Sequence, residues 1–263
     1  MLDALWPFDF RRYALLLDID GTILDFAPTP REVWVPPGLQ DTLLQLLERM
    51  DGALALVSGR SLEDIDLIFS PLQFAGVGCH GAELRPSHNM PAELPRTAPL
   101  DDSVKRLFAP IRKLAKGILL EDKEYSLAIH YRLAPKAEKA IYTAIAEIAS
   151  GVTTVPIEVL RGKFVVEIKS AGVTKASGVR MLMQHPPFAG RAPIFLGDDV
   201  TDETVFPIIP EFSGYCFSVG RKIEGTDGCF DNPAAVRKWL KKIAHPDVQA
   251  AAETPKKRAK AGA

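Results

Sequence analysis

The chain has 263 residues, of which 47% are hydrophobic, and its formal net charge is −1. This length supports one large domain or two modest ones with real cores, and the near-neutral charge excludes a positive field that would recruit nucleic acid or an anionic membrane. The three cysteines show no metal-like spacing, and their odd number argues against a disulfide framework. No stretch approaches the roughly 20 apolar residues of a membrane span, and the first apolar run is too short for a secretory signal. We therefore expect a cytoplasmic monomer, and a small charged metabolite is the partner that remains open.

Short apolar runs alternate with amphipathic patterns in the first third of the chain. The predicted strands and helices are, in order, YALLLDID, GLQDTLLQLLERM, ALALVSGR, SLEDIDLIF and FAGVGCHG. Continuous apolar strands separated by helices are typical of βαβ units with a parallel sheet. This part of the sequence predicts an α/β architecture.

The pattern changes near residue 118, where two strands, a helix and two further strands are predicted. This ββαββ order has no place in an alternating parallel sheet, so we interpret it as an inserted α+β module. The βα pattern then resumes. The predicted domains are a core of residues 1–101 and 170–245 and an insertion of residues 102–169. Residues 246–263 are basic and poor in large apolar side chains, which predicts a disordered tail.

Polar side chains follow the predicted parallel strands at the points where these end. Asp18 and Asp20 follow the first strand, Ser58, Gly59 and Arg60 follow the second, and Asp198 and Asp199 follow the strand APIFLG, while Lys175 begins the resumed βα run. In open parallel sheets, ligands bind outside the carboxyl ends of the strands. Converging carboxylates raise one another's pKa unless a cation compensates, and Mg²⁺ takes carboxylate and phosphate oxygens. The sequence therefore predicts a magnesium site suited to phosphate chemistry.

These residue types also fit phosphoryl transfer. A carboxylate beside Mg²⁺ can attack phosphorus, and a second acid two residues later can protonate the leaving oxygen and then deprotonate water. Lysine and serine can hold the phosphoryl oxygens. Each residue alone also fits an ordinary role as a turn former, a helix cap or a solvated lysine. Because all of them occur together and in this order, a catalytic site is the favoured interpretation.

The stretches DIDGT, VSGR, Lys175 and GDDVTDE resemble, in this order, the four motifs of the haloacid-dehalogenase (HAD) type phosphatases. The resemblance spans almost the whole chain and implies a Rossmann-like core with an inserted cap of ββαββ type. It implies that Asp18 is the nucleophile and Asp20 the general acid and base. It also implies that Ser58 and Lys175 hold the phosphate and that Mg²⁺ is the cofactor. The implied metal ligands are Asp18, Asp20 through its backbone carbonyl, Asp198, and Asp202 through water.

Within that superfamily the sequence most resembles the trehalose-6-phosphate phosphatases. The matching stretches are DIDGTI, VSGR, GCHGAEL, EDKEYSLAIHYR, GKFVVEI and PIFLGDDVTDETVF. LAIHYR and GKFVVEI, both in the predicted cap, are characteristic of this family. One departure is Ala176, which stands where the family usually has glycine. The resemblance implies hydrolysis of trehalose 6-phosphate, a small-molecule sugar phosphate, through a phospho-Asp18 intermediate.

The predicted cap offers charged side chains that can select among sugar hydroxyls. The resemblance favours Lys123, Lys163 and Glu167 as substrate-binding residues, with Glu121 next. Arg60 of VSGR is a further candidate for phosphate or sugar binding.

Several charged residues near the predicted site fit a structural role as well as a binding role. Arg60 can pair with Glu63 or Asp64 on the following helix. Alternation sends half of the side chains of a strand away from any one face, so sheet packing or a contact between domains fits equally well for His130 and Arg132. Whether the core-loop residues His80 and Glu83 face the cap is also open.

Two other functions remain open at this stage. The same chemistry can act on another substrate, such as sucrose phosphate or mannosylphosphoglycerate, or serve a phosphomannomutase. A non-catalytic, sugar-phosphate-sensing regulatory protein on the same fold is the alternative of another class. The cap stretches argue against the first, and the presence of every expected catalytic residue argues against the second.

Overall fold

The structure is a computed structural model that describes residues 8–27, 32–88, 90–92, 98–153, 155–162 and 164–245. Its helices and strands follow one another as β1 (Tyr13–Leu17), α1 (Leu39–Arg49), β2 (Leu54–Val57), α2 (Leu62–Ile68), β3 (Ala75–Gly78), β4 (Glu83–Arg85), α3 (Asp102–Phe108), β5 (Leu119–Asp122), β6 (Ser126–His130), α4 (Glu138–Gly151), β7 (Ile157–Gly162), β8 (Val165–Ser170), α5 (Lys175–Leu182), β9 (Ala192–Gly197), β10 (Tyr215–Val219), β11 (Gly228–Phe230) and α6 (Pro233–Ala244). The predicted tail of residues 246–263 lies outside the described residues.

The larger sheet has the strand order β11-β10-β9-β1-β2-β3-β4. Its neighbouring strands run parallel except for β4, which is antiparallel to β3. All five residues of β1 are buried, as expected for a central strand covered on both faces. The predicted α/β class with a parallel sheet is confirmed.

Helices cover this sheet because each carries an apolar stripe. In α1 the buried positions recur at three- and four-residue intervals, as in Leu39, Leu43 and Leu46, and this stripe joins the main hydrophobic cluster. Helices α1 and α6 pack against each other, and α5 packs on β3 and β4. The packing of α5 brings its first residue, Lys175, to the carboxyl end of the sheet.

The smaller sheet is antiparallel, with strand order β5-β6-β8-β7. Its apolar face forms a separate hydrophobic cluster with α3 and α4. The predicted ββαββ order is therefore present, and α3 precedes it. Helix α3 is capped by Asp101, whose side chain accepts a 2.7 Å hydrogen bond from the backbone N–H of Ser103. The assignment of residues 102–169 to one inserted domain stays a prediction.

The order β9-β1-β2 brings three predicted functional segments to one edge of the larger sheet. Leu17 pairs with Leu56 on one side and with Leu196 on the other. The residues just beyond these positions include Asp18, Ser58 and Asp198. In the described ranges, no helix combines the length and the apolar character that a membrane crossing requires.

Candidate active site

Asp18 lies directly after β1 and is 4% exposed. Its backbone N–H donates a 3.0 Å hydrogen bond to the carbonyl of Leu196 in β9, which fixes the end of the strand. Its Oδ1 accepts a 2.9 Å hydrogen bond from Nζ of Lys175. Its Oδ2 is buried and has no hydrogen-bond partner among the described residues. Because such an oxygen is costly to leave unsatisfied, the site is built to present it to a cation or a substrate.

Lys175 begins α5 and is 3% exposed. A capping box holds this helix start, since the side chains of Thr174 and Ser177 each accept a hydrogen bond from the other's backbone N–H. Nζ of Lys175 donates hydrogen bonds to Oδ1 of Asp18 at 2.9 Å and to Oδ1 of Asp202 at 2.8 Å. Burial alone would lower the pKa of Lys175, but the two carboxylates hold that pKa well above its usual range. Lys175 therefore carries a positive charge into the centre of the site.

The next residue, Ala176, lies in the first turn of α5. It is absent from the described residues with positive φ angles, so the backbone there does not require the glycine that the family usually has. Ala176 instead packs against the main hydrophobic cluster. This departure from the family pattern leaves the placement of Lys175 intact.

Asp198 and Asp202 follow β9 and meet Asp18. Each of the three offers one carboxylate oxygen, and these oxygens lie within 4.8 Å of one another. Oδ2 of Asp202 accepts the backbone N–H groups of Asp198 at 3.0 Å and Asp199 at 3.2 Å. A Cβ on Gly197 would overlap the carboxyl group of Asp202, so glycine at the end of β9 makes room for this acid. The three carboxylates form a cluster that we call the acidic triad.

The acidic triad carries more negative charge than its surroundings neutralise. Burial and the nearby charge of Asp18 raise the pKa of Asp198 to about 8. The same two causes raise the pKa of Asp202, and burial raises the pKa of Asp18. Lys175 alone therefore does not compensate the three negative charges. A hard divalent cation that binds carboxylate oxygens fits this donor set.

The side chain of Asp20 lies apart from the triad and pairs with Arg60. Nε and Nη2 of Arg60 donate hydrogen bonds of 2.6 and 2.7 Å to the two oxygens of Asp20, which is the bidentate geometry of a strong ion pair. The side chain of Asp20 is 30% exposed, so solvent and ligands can reach it. Among the pairings considered from the sequence, neither Glu63 nor Asp64 takes this place.

Gly21 explains how the DIDGT segment reaches the triad. Its φ angle is +86°, in the region that favours glycine. A Cβ at this position would overlap Oδ2 of Asp198. The next residue, Thr22, is buried, and its hydroxyl lies 3.5 Å from Oδ1 of Asp198. Both residues bring the turn after β1 against the loop after β9.

Ser58 lies at the end of β2 and is 2% exposed. Its backbone N–H donates to the carbonyl of Val77 in β3 at 2.8 Å. Its Oγ accepts the backbone N–H of Arg60 at 3.2 Å, and its carbonyl accepts the backbone N–H of His80 at 3.1 Å. Ser58 is thus held in the turn between β2 and α2, at the edge of the sheet that carries Asp18.

Glu167 in β8 joins the smaller sheet to the core loop after β3. Its Oε2 lies 2.7 Å from Nε2 of His80, its Oε1 accepts a hydrogen bond from the hydroxyl of Ser126, and Nζ of Lys123 lies 3.9 Å from Oε1. Burial alone would raise the pKa of Glu167, but the contacts with His80, Lys123 and Ser126 hold that pKa below its usual range. Glu167 is therefore an ionised carboxylate between the two sheets. His80 faces the cap, one of the two arrangements that the sequence left open.

The other charged cap residues fall into different environments. Oε2 of Glu121 lies 2.7 Å from Nε2 of His130, and this hydrogen bond lowers the pKa of Glu121. Arg132 donates a hydrogen bond to the carbonyl of Ala27, so it makes a contact between the smaller sheet and the core. Lys163 lies outside the described residues.

Glu83 in β4 holds the start of α2. Its Oε2 accepts the backbone N–H of Leu62, the first residue of α2, at 2.7 Å. Its Oε1 lies 3.4 Å from Sγ of Cys79.

Asp199 belongs to the site, although no role could be assigned to it from the sequence beyond its place after the strand APIFLG. Its Oδ1 accepts the backbone N–H and the hydroxyl of Thr201 and the backbone N–H of Asp202, at 2.7 to 3.0 Å. Burial alone would raise its pKa, but Lys175 and these hydrogen bonds lower it to about 2. The available signal was its place within GDDVTDE, three residues before Asp202, where an acid can cap the turn.

Comparisons with known proteins agree with this site. The sequence model of the trehalose-phosphatase family matches residues 16–229. A probable trehalose-phosphate phosphatase from Sinorhizobium fredii is 39% identical over 235 residues, which cover 86% of this chain and 85% of that protein. The trehalose-6-phosphate phosphatase of Escherichia coli is 36% identical over 236 residues, covering 88% and 86%.

A solved structure shares the fold. The C-terminal domain of trehalose-6-phosphate phosphatase from C. albicans superposes with a TM-score of 0.80 at 21% identity, over 90% of this chain and 93% of that chain. The family match spans both sheets and includes Asp18, Ser58, Lys175 and the acids after β9. The chain belongs to the trehalose-phosphatase family of enzymes.

Proposed function

We propose that this protein hydrolyses trehalose 6-phosphate to trehalose and inorganic phosphate, with Asp18 as the nucleophile and Mg²⁺ as the cofactor. The observation that carries the proposal is the environment of Asp18, whose Oδ1 is held by Lys175 while its Oδ2 is left without a partner among the described residues. A relative at 39% identity is named a probable trehalose-phosphate phosphatase, and one at 36% identity is named a trehalose-6-phosphate phosphatase.

Asp18 and Asp198 would hold the metal, and Asp202 would support it. The fit rests on the shared approach of their oxygens and on the raised pKa of Asp198, both of which indicate missing positive charge. The bound ion supplies charge that neutralises the carboxylates and the phosphoryl oxygens. Asp20 contributes its carboxylate to Arg60, so only its backbone carbonyl remains for the role that the family resemblance implies.

In the first half of the reaction, a carboxylate oxygen of Asp18 attacks the phosphorus atom, and the bond between phosphorus and the sugar oxygen breaks. Asp20 in its acid form gives a proton to that oxygen, so trehalose leaves as a neutral alcohol and the phosphoryl group stays on Asp18. Lys175 orients Asp18 for this attack, and Lys175 and Ser58 hold phosphoryl oxygens.

In the second half, the carboxylate of Asp20 takes a proton from a water molecule. The oxygen of that water attacks the phosphorus of phospho-Asp18, inorganic phosphate leaves, and Asp18 returns to its carboxylate form. The bidentate contact with Arg60 supports this half, because it fixes the orientation of the Asp20 carboxylate. The partial exposure of Asp20 lets water reach it.

The smaller sheet supplies the sugar-binding groups in this proposal. Glu121, Lys123 and Glu167 are charged side chains near the core, and Lys163 joins them by the family resemblance alone. Fixed donors and acceptors of this kind discriminate among hydroxyl patterns. Closure of the smaller sheet over a disaccharide also excludes bulk water from the charges around Asp18.

A panel of phosphate esters tests the function directly. Phosphate release is measured from trehalose 6-phosphate, sucrose 6-phosphate, mannosylphosphoglycerate, mannose 6-phosphate and p-nitrophenyl phosphate, with Mg²⁺ and after chelation. We expect the highest kcat/KM for trehalose 6-phosphate and loss of turnover after chelation. Higher turnover of another sugar ester would overturn the substrate, and no release from any ester would favour a sensing protein. The cytoplasmic location and the monomeric state stay predictions.

A further inference from the structure

His80 has an unusual backbone for a residue that carries a side chain. Its φ and ψ angles are 53° and 30°, and the preceding Cys79 has a φ of 46°. Residues other than glycine rarely adopt this left-handed region, and they do so where the surroundings determine the conformation. The loop that carries His80 is fixed by close packing, since a Cβ on the neighbouring Gly81 would overlap the carbonyl of Thr174. This packing holds the loop against the start of α5.

His80 is bound to the phosphate-holding part of the core in two ways. Its backbone N–H donates a 3.1 Å hydrogen bond to the carbonyl of Ser58. Its ring lies over Gly59, where an added Cβ would overlap Cε1 and Nε2 of the imidazole. The glycine of VSGR therefore makes space for the ring, and the ring is held in one position relative to Ser58.

The same ring reaches the smaller sheet. Nε2 of His80 lies 2.7 Å from Oε2 of Glu167, and both side chains are 9% exposed. The other oxygen of Glu167 accepts the hydroxyl of Ser126 and lies 3.9 Å from Nζ of Lys123. One imidazole thus connects the turn after β2 to the carboxylate that Ser126 and Lys123 also contact.

We infer that His80 is a positioning residue for sugar recognition. It holds Glu167 of the smaller sheet in a fixed place relative to the Ser58 turn, so that the sugar and the phosphate of one substrate molecule reach their binding groups together. The inference deepens the proposed function and rests on its division between a phosphate site in the core and a sugar site in the smaller sheet. A histidine that served packing alone would not need a ring nitrogen within hydrogen-bond distance of a buried carboxylate from another sheet.

This role predicts that loss of His80 lowers activity on a disaccharide phosphate more than activity on a small aryl phosphate. A disaccharide phosphate uses binding energy from its sugars to align its phosphate, whereas a small aryl phosphate has no such group to align. Loss of the contact between His80 and Glu167 therefore weakens the alignment of trehalose 6-phosphate with Asp18. It leaves the phosphate site available to the aryl ester.

The test uses two substitutions of His80. Asparagine tolerates left-handed backbone and is too short to reach Glu167, so His80→Asn removes the contact without adding backbone strain. Glutamine places an amide nitrogen about as far from the backbone as Nε2, so His80→Gln can restore the hydrogen bond. His88→Asn is the matched control, because His88 packs near Gly52 before β2, at the other end of that strand from Ser58.

Steady-state kinetics are measured with trehalose 6-phosphate and p-nitrophenyl phosphate, and the thermal midpoint of each variant is recorded. For His80→Asn we expect kcat/KM for trehalose 6-phosphate to fall by about tenfold or more, the size of a lost hydrogen bond to a charged group. The value for the aryl ester should fall by at most about threefold. His80→Gln should recover part of the loss, and His88→Asn should leave the ratio of the two substrates unchanged. Equal losses on both substrates would overturn the inference, as would no loss on either.

A double-mutant cycle with Glu167→Gln gives a second, independent readout. If His80 acts through Glu167, the double variant should lose little more than the worse single variant with trehalose 6-phosphate. Additive losses would contradict the inference even if the selectivity were found. Should the unmodified protein prefer another sugar ester, the proposed substrate fails, and the same cycle run with that ester still decides the role of His80.

Discussion

The ammonium group of Lys175 donates a 2.9 Å hydrogen bond to Oδ1 of Asp18, and both side chains are almost completely buried. The same ammonium group is bound to Asp202 at 2.8 Å. A single positive charge is therefore shared between two buried carboxylates, one of which is the proposed nucleophile. Stability and chemistry are coupled at this point of the molecule.

Asp18→Asn should abolish turnover. The amide nearly matches the carboxylate in shape and its oxygen can still accept the hydrogen bond from Lys175, but it is a poor nucleophile and cannot form the acyl phosphate. We expect kcat to fall by at least about a thousandfold, while the Kd for trehalose 6-phosphate, measured by calorimetry, changes by less than about tenfold. Asp25→Asn, which alters an exposed partner of Arg237, is the control. Substantial turnover by Asp18→Asn would refute the assignment of the nucleophile.

Lys175→Met should destabilise the fold as well as the reaction. Removal of the ammonium leaves Asp18 and Asp202 buried without their counter-charge, and breaking a buried ion pair costs about 3–5 kcal/mol. Urea unfolding in the absence of metal measures the loss, and added Mg²⁺ should restore part of it because a cation again neutralises the carboxylates. Unchanged stability would show that the pair contributes less than its burial suggests. Lys105→Met alters an ion pair with the exposed Asp122 and is the control.

The pH dependence of stability should be weaker with bound metal than without it. The pKa of Asp198 is raised from 3.8 to about 8, so without metal the folded state binds a proton that the unfolded state has lost. This contribution favours folding below pH 4 and is lost as the pH rises towards about 8. Metal-free protein should therefore lose stability over this range relative to Asp198→Asn. Saturating Mg²⁺ should stabilise the unsubstituted protein more at pH 8 than at pH 6, because the proton competes with the cation. Thermal unfolding with and without metal checks both expectations, and parallel pH profiles for the two proteins would contradict them.

Local sequence patterns were sufficient for the strands that carry the site. YALLL is a continuous apolar run, and it forms the fully buried β1 that ends at Asp18. Asp18, Asp198 and Asp202 could be expected to converge because the carboxyl ends of parallel strands share one edge. The pairing of Arg60 with Asp20 was not predicted, because these residues are 40 positions apart and the nearer Glu63 and Asp64 offered equally good carboxylates.

The contact between His80 and Glu167 was even less predictable from local sequence patterns. These residues are 87 positions apart and lie in different sheets. Their meeting depends on how the smaller sheet packs against the core, which no local pattern contains. A short helix such as α3 was missed for another reason, since its only signals are the cap at Asp101 and one buried pair, Val104 and Phe108.

Arg60→Lys should lower activity without selectivity between substrates. Lysine keeps the charge but cannot reproduce the bidentate contact with the two oxygens of Asp20. Because Asp20 serves hydrolysis of the phospho-enzyme with every substrate, we expect kcat to fall by about tenfold for both trehalose 6-phosphate and p-nitrophenyl phosphate. Rapid-quench measurements should show phospho-enzyme accumulating. A loss confined to the sugar ester would instead place Arg60 in sugar recognition.

Substitution of the charged cap residues should lower activity on trehalose 6-phosphate selectively, in contrast to Arg60→Lys. Glu167→Ala removes the carboxylate that joins His80, Ser126 and Lys123, and Lys163→Ala removes a candidate sugar ligand that the family resemblance implies. We expect each to lower kcat/KM for trehalose 6-phosphate by about tenfold to a hundredfold, because buried polar groups lose their partners and the sugar loses fixed ones. Hydrolysis of p-nitrophenyl phosphate should change much less. Lys139→Ala on α4 is the matched control, since it is an exposed lysine of the same insertion. If Glu167→Ala or Lys163→Ala lowered kcat/KM equally for both substrates, that residue would have no role in sugar recognition. Substrate specificity would then have to come from residues of the core.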